Sequence, residues 1–159
     1  GSKNKQLYEI TFSIIDTDAA AAAKYKAAAE ALHAKVLTSA GGHKQRQCSL
    51  AELYEEAVRA RPVARLVMEG LDLLTTAKLQ PMGPLKRMSR ASEKVVLSAA
   101  GKGGAENVCD IVRDMFECEN FEEMAELLGL ICSSANVEVL RFKDRIAEPS
   151  GGWLARRDD

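Results

Sequence analysis

The chain has 159 residues, 47% of them hydrophobic, with 22 Lys and Arg against 23 Asp and Glu and a formal net charge of −1. That length suits one domain, residues 1–159, and near-neutrality removes the global positive field that collects DNA, RNA or anionic membrane. No apolar run approaches the roughly 20 residues of a membrane span, so neither a membrane nor a nucleic acid is expected as partner. The four cysteines, Cys48, Cys109, Cys118 and Cys132, form no CxxC pair, and neither His33 nor His43 stands within four residues of any of them. A zinc site is not expected. Buried thiols in a reducing intracellular compartment, the cytoplasm, are. Gly1-Ser2 reads as an expression scar, which leaves any native targeting segment outside the sequence.

In chain order, Tyr8, Ile10, Phe12 and Ile14 alternate as in a strand, yet Tyr8, Phe12 and Ile15 also fit a helical stripe. Residues 6–16 are open between the two. The Ala-rich run predicts a helix over residues 18–39, capped by Thr17 or Asp18. Ser49 and Glu52 form a capping box that opens a helix from Leu50 to Leu79, which Pro62 should kink or split near Arg61. Gln80-Pro81-Met82-Gly83-Pro84 is a breaker, followed by a helix from about Leu85 to Ala100.

The pattern then changes. "NVCDIVRDMFEC" alternates as a strand, Asn120 and Glu123 cap the helix "FEEMAELLGLIC", and "VEVLRFKDRI" alternates again. The fold class is α+β: a helical N-terminal layer over residues 6–100, then a small β-α-β sheet within residues 106–153. An open sheet edge has to be covered, by a protein partner or by self-association.

Three stretches bear charge in a pattern suited to phosphate. Lys86, Arg90 and Lys94 recur every four residues, one face of a helix. Stacked like charges repel, so such a stripe suits a ligand with several negative charges, a polyphosphate. Asp110 and Asp114 share strand parity, and paired carboxylates beside a basic helix suit magnesium together with substrate phosphate. Arg141, Lys143 and Arg145 share one parity with Asp144 on the other; Pro149 and Ser150-Gly151-Gly152 then turn the chain to Trp153, whose ring suits stacking on a base. Each pattern also fits an ordinary wet face or, for Trp153, a core plug.

In order, "PLKRMSRASEK", "CDIVRDMF", "FEEMAELLGLI" and "VEVLRFKDRIAEPSGGW" resemble RelA/SpoT-type (p)ppGpp synthetase domains, and more closely a divergent relative of them, over about residues 83–153. The resemblance implies a nucleotidyltransferase-like sheet. It implies that Lys86, Arg90 and Lys94 hold the donor triphosphate, that Asp110 binds metal, that Lys143 and Asp144 precede the acceptor site, and that Trp153 stacks on a purine. Met115 stands where the family has Arg. The later strands with their Glu-x-Gln do not follow, so the implied function is a nucleotide- or polyphosphate-binding module that is catalytically incomplete. A helical scaffold or assembly subunit without ligand is the alternative, and a pyrophosphokinase completed by another chain the third.

Overall fold

Asp18 opens the first helix. In the computed structural model, which describes residues 8–13, 18–36, 44–46, 49–97, 104–144 and 146, its carboxylate accepts from the Ala20 and Ala21 amides at 2.8 and 3.2 Å. Helix α1 then runs Ala19–Lys35, preceded by strand β1, Tyr8–Ser13; the open choice at residues 6–16 resolves to strand over that span. Ser49 Oγ accepts from the Glu52 amide at 3.2 Å, and α2 follows, Leu50–Asp72.

Two expectations for α2, a split at Pro62 and an end at Leu79, are not met. The helix passes through Pro62 without splitting. Pro62 is exposed, so the Val58 carbonyl that loses its amide partner lies on the watered side, where the loss is cheapest. The helix also stops at Asp72 instead of reaching Leu79. Past it, the Asp72 carboxylate accepts the Leu79 amide at 2.9 Å and the Thr75 hydroxyl accepts the Ala77 amide at 3.2 Å. Such short side-chain bonds compete with helical ones, and Lys78–Leu79 become strand β2.

The third helix is shorter than its periodicity predicts. Residues 81–87 carry no helix, and α3 spans Met88–Val96. The Lys86 amide is committed elsewhere, to the Ile111 carbonyl at 3.0 Å, and Arg61 of α2 pins the segment by donating to the Gly83 carbonyl at 3.0 Å. Strand β3, Val112–Glu117, and helix α4, Phe121–Ser133, complete the elements. Asn120 caps α4 by accepting the Glu123 amide at 2.8 Å.

The strand–helix–strand unit predicted for residues 106–147 is corrected. Its first strand and helix are β3 and α4, but residues 137–144 form no strand. The sheet instead has three strands in the order β1-β3-β2. β1 pairs with β3 in parallel and β2 pairs with it antiparallel. The apolar residues of this segment have another role: Val137 and Val139, and Phe142 of the opposite parity, pack on the core formed by α1 and α4 without any ladder partner among the described residues.

Two apolar clusters share α2 and β3. One joins Tyr25, Ala29 and Leu32 of α1 to Met68, Phe116, Met124, Leu127, Leu128 and Ile131. The other joins Leu53 and Ala57 of α2 to Ala91 of α3 and to Val108, Ile111 and Val112. β3 buries Val112, Asp114 and Phe116 and exposes Arg113, Met115 and Glu117. Among the described residues no helix is long and apolar enough to cross a membrane.

Candidate anion site

The second cluster carries a charged lip. Lys86 reaches it from the extended segment before α3, where the Tyr54 hydroxyl donates to the Lys86 carbonyl. The Lys86 ammonium donates to Asp110 Oδ2 at 2.7 Å, and the Lys94 ammonium, from α3, donates to the same oxygen at 3.1 Å. Asp110 precedes β3 and does not lie within it. Its other oxygen, Oδ1, is buried and has no hydrogen-bond partner.

Burial pushes the Asp110 carboxyl up, but the Lys86 hydrogen bond and the two ammonium charges outweigh burial and hold it below the usual carboxylate range. A carboxyl lowered in the fold adds stability above its ordinary titration range and loses it as pH falls through the folded value. Asp110→Asn is therefore expected to be less stable than the parent chain at neutral pH, with the gap closing in acid; denaturant melts across pH check this, and a gap independent of pH would contradict it.

Further cations lie within electrostatic reach. Arg141 and Lys94 both act on the Cys109 thiol, and Arg113 acts with Asp110 on Tyr54. Burial nevertheless raises both Cys109 and Tyr54, so neither is a ready anion or nucleophile. At Asp110 itself two ammonium groups, those of Lys86 and Lys94, thus meet one carboxylate.

The remaining residues singled out in the sequence lie differently. Lys86 is not on α3, so the four-residue stripe is not a single helix face, and Arg90 turns to Glu93 at 2.9 Å on the exposed side. Asp114 is almost wholly buried, its side chain 2% exposed, and accepts from Arg65 at 2.9 Å. Asp110 and Asp114 therefore take different cationic partners. Among the described residues no three His, Cys, Asp or Glu side chains gather to hold a metal.

Asp144 accepts the Tyr25 hydroxyl at 2.7 Å and the Ile146 amide at 3.0 Å, which fastens the segment bearing Arg141 to α1. Burial and then this bond raise Tyr25 above its ordinary value. Lys143 is exposed on that segment. Arg145 and Trp153 lie outside the described residues, as does Cys48. Cys109, Cys118 and Cys132 carry no disulfide among the described residues, and burial pushes Cys118 up to about 11.

Sequence reasoning missed Tyr54, Arg113 and Arg65. Arg65 had a signal: it stands next to Ala64 and three before Met68, both core positions, so it borders the buried face of α2. Tyr54 adjoins Leu53 in the same way. Comparison with family models, curated proteins and solved structures returns no match for the chain, and the site stands on its own geometry.

Proposed function

We propose that the lip around Asp110 binds the polyphosphate of a purine nucleotide, as the RelA/SpoT-type resemblance implies, with magnesium arriving on the nucleotide. The observation that carries this is the convergence of Lys86 and Lys94, from two different segments, on a single carboxylate oxygen. Two ammonium groups already held at hydrogen-bonding distance from one oxygen are spaced to hold another anionic oxygen at little cost in side-chain entropy.

The test is thermal shift with ATP, GTP and GDP, each with and without magnesium. A rise in melting temperature is expected in the parent chain. Lys94 is half exposed, so Lys94→Ala should fold normally while its affinity falls roughly tenfold, the worth of one charge-assisted hydrogen bond. Absence of a shift with every nucleotide sinks the reading.

A further inference from the structure

The segment before α3 is slung along one face of α2 by its carbonyls. Arg65 donates to the Gln80 carbonyl at 2.8 Å, Arg61 to the Gly83 carbonyl at 3.0 Å and Tyr54 to the Lys86 carbonyl. The three donors are seven and four residues apart, so they share a side of the helix, and the segment runs antiparallel to it. Between helix and segment lies a cavity of about 370 Å³, lined by Val58, Arg61, Pro62, Arg65, Met82 and Leu85. Sites for small ligands begin at about 300 Å³.

The two guanidinium groups in this lining differ. Arg65 is neutralised by Glu69 at 3.1 Å and by Asp114 at 2.9 Å. Arg61 bonds only the neutral carbonyls of Met82, at 3.5 Å, and Gly83, both through Nη2. Among the described residues no carboxylate pairs with it. A guanidinium carries five N–H donors, more than two carbonyls use. An apolar wall beside a cation without an acid selects an anion with an apolar body.

We infer that this cavity binds a small organic acid, its branched or aromatic body among Val58, Pro62, Met82 and Leu85 and its carboxylate on Arg61. The site is separate from the lip around Asp110, since Lys86, Lys94 and Asp110 are not in its lining. A polyphosphate would leave its apolar wall unused. Val58 and Pro62 are both exposed, so the cavity opens to solvent along α2 and a ligand enters without local unfolding.

Methyl proton–carbon NMR of the whole chain, titrated with 4-methylpentanoate and with 3-phenylpropanoate, reads the site at Met82 and Leu85. Saturable shifts of these methyls are expected. The matching primary amides should bind at least about tenfold more weakly, the worth of one charge-assisted hydrogen bond. Arg61→Gln keeps a donor for the Gly83 carbonyl but removes the charge, and should weaken the acids by a similar factor. Val58→Trp, at a position 61% exposed, fills the cavity and should abolish the shifts while the melting temperature stays that of the parent. Lys94→Ala should leave the affinity for the acids unchanged, which separates this result from the nucleotide test. No saturable shift with either acid overturns the inference. So does equal binding of acid and amide, binding that survives both Arg61→Gln and Val58→Trp, or binding that Lys94→Ala abolishes.

Discussion

Arg65→Ala should remove about 3–5 kcal/mol of stability near neutral pH, the scale of stripping the partner from a buried charge. The Arg65 guanidinium donates to Asp114 Oδ1 at 2.9 Å and to the Gln80 carbonyl at 2.8 Å. It is the clasp between α2, β3 and the chain leaving β2. Without it Asp114 stays buried on β3 with Val112 and Phe116, with no other ion-pair partner among the described residues. Part of the loss should be recoverable by acid. Burial already pushes the Asp114 carboxyl up, and the Arg65 charge and hydrogen bond only partly pull it back. Removing Arg65 leaves burial unopposed. A carboxyl that titrates higher in the folded chain than in the unfolded one makes the folded chain the better proton binder between the two values. In that window stability increases as pH falls, so the deficit of the variant should narrow on mild acidification. Urea unfolding of parent and variant at neutral and mildly acidic pH reads this directly. A deficit that widens in acid would contradict the assignment of Arg65 to Asp114.

Phe116→Ala should be comparably severe, about 3–5 kcal/mol, lowering the melting temperature by roughly 10 °C. Phe116 is fully buried at the centre of the sheet, opposite Phe12 of β1 and Leu79 of β2 in the ladders. It touches the core that α1, α2 and α4 share, so truncation opens a cavity that several elements line at once. Calorimetry on the variant checks it. By contrast Met115→Ala, the next residue but on the wet face, should change the melting temperature little, because Met115 is 41% exposed.

Helix starts were the most readable part of the chain. Asp18, Ser49 and Asn120 each satisfy amides two or three residues on, so the information is local and survives in the sequence. The end of α2 was also local, in Asp72 and Thr75, but a continuing apolar period masked it. The start of α3 was not local: the Lys86 amide is taken by Ile111, far along the chain. Strand pairing was harder still. Alternation shows that one side of a segment is buried, not which neighbour supplies the ladder, so residues 137–144 read like β3 although no strand pairs with them.

The candidate site was legible in composition and not in geometry. Lys86 and Lys94 stood out for a shared helix face that does not exist, since Lys86 precedes α3; they meet because the chain around Lys86 docks on Ile111 and brings both ammonium groups to Asp110. Parity placed Asp110 and Asp114 together, but only Asp114 is in the strand, and Arg65 claims it. A pairing between residues 49 apart leaves no spacing signature.

The position of β3 between strands from distant parts of the chain also sets an order of events during synthesis. Its parallel partner begins at Tyr8 and faces Val112, so a loop of roughly a hundred residues has to close before that ladder can form. α1 and most of α2 can coil as they emerge from the ribosome, yet the buried faces of both wait for Phe116 and α4. Assembly of the nascent chain should therefore be late and concerted, limited by the search of one strand for two remote edges. Until that search ends, the apolar faces of α1 and α2 are open to chaperones.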